Sequence, residues 1–400
     1  MLYATARRFL PPALKDTEAA SMGSGPKSPC LCTAQLAGEG HGSPPGMSLS
    51  TSDPAPTCSR RSEIRASHGA FRRYLRAVVY TFPPAQGRRA AWGELDGRVL
   101  AALQERFGAE VAEVQPQVHG FSPAVVAGVV FENGDRAFVK AVCPEMNPNS
   151  PAMYRTEARA ARLLPPEAHA PKLLWDYDDG RWVALAFELV DGKTPELPWR
   201  QCDLDRVLAA LGEIAHALTP FPTDAPCVTV QLGRSFHAWR DATTTGAGEK
   251  AIGELALVEP WAARNIERLA GLEASWEEAA KGSTLVHADV RADNVLLTED
   301  GVVFVDWASP CVGAPWLDLL FFLPSVAMQG GPQPAEVFER QPLGARAPRD
   351  AATSVLCALT GYFVWKSLQP APPGLPTLRA FQRAQGIAAA AWLRQRTGWT

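Results

Sequence analysis

No stretch of this chain reaches the 18 or so consecutive apolar residues that a membrane-spanning helix needs, and its most apolar run, Trp316 to Met328, is short enough to be a buried helix. Cysteine is present at eight positions, but none form a C-x-x-C pair and they are too scattered for a secreted disulfide framework. Reduced thiols in a cytoplasmic protein are expected. There is no excess of positive charge: 39 Lys and Arg stand against 42 Asp and Glu, a formal net charge of -3, which lacks the basic footprint of a phosphate-backbone binder. Nucleic acid and membranes are not expected as partners. No G-x-S-x-G nucleophile elbow occurs, which leaves hydrolases and acyltransferases of that kind without support. Repeats of 20 to 50 residues are missing, as is any sustained heptad with an apolar seam, so a monomer is expected.

What is present divides unevenly. Gly, Ser, Pro and Thr dominate from Ala19 to Ser62 without apolar periodicity, a composition that cannot offset its ordering entropy. A disordered tail is expected over residues 1–90. Its opening, MLYATARRFL, has two adjacent arginines but no long apolar core of a secretory signal, and Met47 inside the tail is a candidate alternative start. Order is expected from about Trp92, where Leu95, Val99, Leu103 and Phe107 recur at helical spacing.

Strands are expected at Ala124–Phe131 and Arg136–Val142 around the turn dipeptide Asn133-Gly134, then a helix from Met153 to Leu164 that Pro165-Pro166 ends. A further strand pair is expected at Leu173–Asp176 and Trp182–Leu189. Helical patterns follow at Leu204–Leu218, Trp261–Leu272, Trp316–Met328, Ala351–Leu368 and Leu375–Arg396, interrupted by strands at Val295–Leu297 and Val302–Val305. Strands first and helices later predict an α+β protein with a small sheet lobe, 91–190, and a larger helical lobe, 191–400.

The densest chemistry lies in LVHADVRADNVLLTEDGVVFVDW, which sets Asp289, Asn294 and Asp306 around a loop, a hairpin and a strand end. Asp and Asn five residues apart are also ordinary turn formers that bond their own backbone. Phosphoryl transfer needs such a set, because it depends on positioning, on charge neutralisation by Mg2+ and on one carboxylate to accept the incoming hydroxyl's proton. The pattern H-A-D-x-x-x-x-N followed by V-D-W resembles that of the aminoglycoside phosphotransferase family, distant kin of protein kinases with the same two-lobed fold.

That resemblance implies an ATP-dependent kinase acting on a hydroxyl of a small molecule. It makes Asp289 the base, Asn294 and Asp306 the Mg2+ ligands, Asp318 the brace of the catalytic loop and His287 a structural residue. Arg291 would contact the γ-phosphate, or else form a surface ion pair with Asp293. Ala288 departs from the family's usual glycine, and Trp307 stands where protein kinases have Phe-Gly, which argues for a small-molecule kinase.

The resemblance extends from Glu113 to about Gln395. HGFSPAVVAGVVF, beginning at His119, would cover the nucleotide phosphates, with Gly120 permitting close backbone approach and Ser122 donating to phosphate, although G-F-S-P is also a common turn. Lys140, a lone charge in an apolar strand, would hold ATP phosphates, with Glu157 as its partner. Simple alternation could instead send Lys140 to solvent, and Glu157 could join Arg155, Arg159 and Arg162 on a wet helix face. Glu188 and Val190 in ALAFELVDGKTP would offer backbone groups to the adenine edge, with Gly192 giving the bend, where a plain strand and turn would look alike. Asp289 and Asp293 would favour a cationic acceptor such as an aminoglycoside, while the resemblance equally admits choline-like, homoserine, macrolide or sugar acceptors. A catalytically silent nucleotide-binding scaffold is the competing reading.

Overall fold

The computed structural model describes residues 82–400 except 86, 118–119, 222–224 and 245–247. The expected tail up to residue 81 and His119 lie outside the described residues. The end of that tail is described: Gly87 N–H donates to the Gly120 carbonyl at 2.9 Å, and Ala90 bridges to Val125.

Five antiparallel strands form the first sheet: β1 (Val111–Pro116), β2 (Val125–Phe131), β3 (Arg136–Val142), β4 (Leu173–Asp178) and β5 (Val183–Phe187), in the order β1-β2-β3-β5-β4. The β2–β3 hairpin closes where Asn133 Oδ1 accepts the Asp135 N–H at 3.0 Å and Gly134 takes φ +89°. Its register pairs Val126 with Lys140 and Lys140 with Leu185 on one face, and Ala127 with Val139 and Val139 with Ala186 on the other. Helix α1 (Gly97–Phe107), capped by Asp96, covers the second face through Leu103. Helix α2 (Ser150–Ala161) covers the first through Tyr154 and Ala158. It starts three residues before the expected Met153, because Pro151 is tolerated in the first turn, where its missing N–H would have no helical partner. The alternation of β3 therefore turns Lys140 toward α2.

The larger lobe packs helices α3 (Gln201–Ala217), α4 (Leu317–Met328), α5 (Arg349–Ser367) and α6 (Leu378–Thr397) around one core that includes Phe322, Tyr362 and Trp392. Short helices lie between them. The single helix expected over Trp261–Leu272 is two, Pro260–Arg264 and Ile266–Glu273. Asn265 separates them: its Nδ2 donates to the carbonyls of Trp261 and Thr400, a side-chain alternative to continued helix. Helices at Val228–Leu232, Ala238–Thr244 and Gly248–Val258 and strand β1 were not expected from periodicity. Strands β6 (Thr284–Val286), β7 (Val295–Leu297), β8 (Val302–Phe304) and β9 (Cys311–Gly313) form two small pairs, β6 with β9 and β7 with β8. Among the described residues, no helix is long and apolar enough to cross a membrane.

Candidate active site

The loop after β6 is shaped by a buried carboxylate. Asp318, in the first turn of α4, accepts the backbone N–H groups of His287 and Ala288, each at 2.8 Å. This holds Ala288 at φ +62°, a left-handed conformation that costs an L-residue about 1–2 kcal/mol. The family's glycine would adopt it freely; here the bonds to Asp318 hold an alanine in that conformation against its strain. His287 is fully buried and bonds through Nε2 to the Val305 carbonyl at 2.9 Å. A carbonyl only accepts, so the proton sits on Nε2 and Nδ1 accepts the Asp289 N–H at 3.3 Å. His287 is thereby occupied with the loop itself.

Asp289 follows, and its two carboxylate oxygens lie 2.7 and 2.8 Å from Arg291 Nη1. The same guanidinium reaches Asp293 through Nε at 3.0 Å and Nη2 at 2.8 Å. Arg291 is only 5% exposed, so the ion pair expected with Asp293 is buried and extends to Asp289, and its fork is shared between two carboxylates. Phe121 and Phe381 flank it, each ring centroid 5.9 Å away. Burial would raise the Asp289 pKa, but the positive charge around it, the Arg291 guanidinium foremost, keeps the carboxyl below its ordinary value. Asn294 closes the turn by donating from Nδ2 to the Asp289 carbonyl at 2.9 Å.

Lys140 reaches across from the sheet lobe. Its Nζ lies 2.5 Å from Glu157 on α2 and 3.1 Å from Asp306, which follows β8 with φ +66°. Burial opposes the charge on Lys140, yet Glu157 and Asp306 raise its pKa above the ordinary value, so the ammonium persists. Asp306 is held well below the carboxylate range: burial opposes its charge, but Lys140 and the Arg291 guanidinium are among the positive groups that together outweigh it. Simple alternation to solvent is not what the Lys140 strand does, and Glu157 is 2% exposed, away from any wet face.

The phosphate-loop candidates sit nearby. Gly120 adopts φ +102°, and a Cβ there would lie 2.5 Å from Arg89 Nη2, so only glycine suits. Ser122 Oγ shares a hydrogen bond with the Tyr154 hydroxyl at 3.1 Å, while its carbonyl accepts from Arg89 at 2.6 Å. At the linker, Glu188 N–H donates to the Lys172 carbonyl. The Glu188 carbonyl and Val190 N–H make no hydrogen bond among the described residues, leaving an acceptor and a donor two positions apart. Gly192 serves close packing: a Cβ would meet Leu296 and Thr298 at 3.1 Å, and next to it Lys193 exchanges backbone bonds with Leu297.

The sequence profile of the phosphotransferase enzyme family matches residues 120–352, more than half of the chain. The chain belongs to that family. No curated protein matches its sequence. Among solved structures, a thermostable mutant of aminoglycoside phosphotransferase APH(4)-Ia, in ternary complex with AMP-PNP and hygromycin B, is 17% identical with a TM-score of 0.50, covering 75% of this chain and 98% of that one. Amicoumacin kinase hAmiN, in complex with AMP-PNP, Ca2+ and its ligand, is 10% identical with a TM-score of 0.47, covering 75% and 95%. Macrolide 2'-phosphotransferase type I is 16% identical with a TM-score of 0.44, covering 74% and 96%. The fold of this phosphotransferase is the two-lobed, protein-kinase-like one expected from sequence.

Sequence reasoning missed two parts of this phosphotransferase's site. Arg89 was assigned to the tail, yet it bonds the Ser122 carbonyl, and Asp306 and Asp293 lie near enough to oppose the lowering of its pKa by burial. A small cavity of about 20 Å3, room for about one water molecule, lies beside Asp289 and Arg291, walled by α4, α5 and α6 through Phe321, Tyr362 and Gln382 among others. Those residues read as helix positions alone, and no local signal marks them as a wall.

Proposed function

We propose that this chain transfers the γ-phosphoryl group of ATP to a hydroxyl of a small molecule in the cytoplasm. The observation that carries the reading is the Lys140 ammonium held between Glu157 and Asp306, which ties the sheet lobe to the hairpin that follows the Asp289 loop. A buried lysine fixed by a helix glutamate is an anchor for nucleotide phosphates. The Glu188 carbonyl and Val190 N–H supply the complementary pair an adenine edge requires, and the turn from Gly120 to Ser122 covers the phosphates.

Asn294 and Asp306 suit Mg2+. Nδ2 of Asn294 is committed to the Asp289 carbonyl and its Oδ1 accepts no hydrogen bond among the described residues. Asp306 uses Oδ1 for Lys140 and keeps a second oxygen. Amide and carboxylate oxygens are the hard donors this ion takes, usually one or two from protein with phosphates completing the shell. Among the described residues no cluster of three His, Cys, Asp or Glu side chains could hold a metal by itself. When bound, the ion would neutralise phosphate charge.

Asp289 orients the acceptor hydroxyl and accepts its proton as the hydroxyl oxygen bonds to Pγ. The bond from Pγ to the β,γ-bridging oxygen breaks and ADP leaves. Arg291 positions the base and keeps it ionised. Basal ATP hydrolysis with Mg2+ tests this reading. Asp289→Asn should abolish hydrolysis with ADP affinity kept, whereas hydrolysis surviving in that variant would make the chain a nucleotide-binding scaffold.

A further inference from the structure

The segment 84–90 lies outside the matched span 120–352, yet it bonds the turn assigned to the nucleotide phosphates. Gly87 N–H donates to the Gly120 carbonyl at 2.9 Å and Gly120 N–H returns a bond to the Ala85 carbonyl at 2.7 Å, while Ala90 N–H donates to the Ala124 carbonyl at 3.2 Å. The same segment is tied to the connection between α5 and α6, which also lies outside that span. There Arg88 N–H donates to the Gly374 carbonyl at 2.7 Å, and the Thr377 hydroxyl donates to the Pro84 carbonyl at 3.0 Å. The segment is thus a strap fixed to both lobes, and it places Arg89.

Nη1 of Arg89 donates to the Ser122 carbonyl at 2.6 Å, and Nη2 lies 2.5 Å from where a Cβ on Gly120 would stand. The guanidinium therefore lies against both ends of the turn Gly120–Ser122. The ring at the centre of that turn, Phe121, is 5.9 Å from the guanidinium carbon of Arg291. Since Arg291 holds Asp289, the turn and its arginine reach the end of the cleft where the phosphoryl group would be transferred. Burial opposes the charge on Arg89, whereas Tyr154, Asp306 and Asp293 lie near enough to favour it.

The charge balance of the site calls for such a group. Lys140 faces Glu157 and Asp306, and Arg291 faces Asp289 and Asp293, so carboxylates outnumber these two cations two to one. A triphosphate remains negative with Mg2+ bound, and bringing it beside those carboxylates costs Coulomb energy unless further positive charge is present. Arginine supplies it in a planar fork that matches phosphate oxygens and stays protonated. We propose that Arg89, delivered by the strap, binds the γ-phosphoryl group of ATP as a second cation beside Lys140. This rests on the phosphotransferase reading above.

Calorimetry on the full chain with Mg2+ and three probes, AMP-PNP, ADP and AMP, tests this. Arg89→Met keeps the apolar stem and removes the charge. AMP-PNP should then bind at least about tenfold more weakly, the scale of one charge-assisted hydrogen bond, with a smaller loss for ADP and AMP unchanged within about twofold. Arg89→Lys should give the same order with a smaller loss for AMP-PNP. An arginine that only holds the turn in place would weaken AMP-PNP and ADP alike. Equal losses for those two probes, or no loss for AMP-PNP, would overturn the proposal and leave the nucleotide site standing. Should the Met variant not fold, the Lys variant decides by the same comparison. An unsubstituted chain that binds none of the three probes would sink the phosphotransferase reading, and this inference with it.

Discussion

Arg291 grips Asp289 and Asp293 with one guanidinium, Nη1 lying 2.7 Å from Asp289 and Nη2 2.8 Å from Asp293, and all three side chains are largely buried. Removing the cation would strand two carboxylates. Arg291→Ala should therefore cost about 3–5 kcal/mol, the range for breaking a buried ion pair, seen as a lower denaturation midpoint. Asp289 would lose what holds its pKa down, so the acid limb of the ATP hydrolysis profile should move to higher pH. Lysine, a point charge without the fork, should rescue only part of either effect. An unshifted limb would show that Arg291 does not set the ionisation of Asp289.

Asp318 braces the loop through two backbone N–H groups at 2.8 Å. Asp318→Ala leaves both donors buried without that acceptor, at about 1–3 kcal/mol each, and frees Ala288 from its strained conformation. The loop should relax, so kcat should fall at least about a hundredfold with little change in KM for ATP, as for other mispositioned catalytic groups. Steady-state kinetics would decide it, and a change confined to KM would contradict it.

Asn294→Ala removes one oxygen donor and the bond to the Asp289 carbonyl. The Mg2+ concentration for half-maximal ATP hydrolysis should rise by about 10–100-fold, the scale seen when metal-site groups are lost. Chelation should abolish hydrolysis in the unsubstituted chain and added Mg2+ should restore it. An unaltered Mg2+ requirement in the variant would remove Asn294 from the metal site.

Glu273 offers a pH test away from the site. It is fully buried, accepts the backbone N–H groups of Trp239 and Arg240, and is pushed by burial from 4.5 up to about 7. A carboxyl with a raised folded pKa holds its proton longer when folded, so its contribution is favourable at low pH and is lost as pH rises between 4.5 and about 7. The loss should be on the order of 2 kcal/mol, and Glu273→Gln should flatten that stretch of the stability curve. Denaturation midpoints at several pH values would reveal it, and equal slopes in both proteins would exclude it.

Legibility from sequence tracked the range of the physics involved. The β2–β3 hairpin, the turn Asn133-Gly134 and helix α1 follow from alternation, turn chemistry and helical spacing, all local, and they stand where the sequence places them. The candidate site residues of this region could be named because five of them crowd into twenty positions, from His287 to Asp306. Strands β6 and β9 were missed since three residues are too few to show a period and their pairing joins Thr284 with Gly313.

By itself the sequence gathered the candidate loop residues into one short stretch and marked β3 as an apolar strand with a single charge, since both depend on neighbours along the chain. Tertiary structure decided that Lys140 meets Asp306, 166 residues away, that Arg89 bonds the Ser122 carbonyl, and that Gln385 from α6 comes beside Asp289. Such contacts arise from how lobes and helices pack, and packing is set by the summed burial of the whole core, which no local pattern encodes.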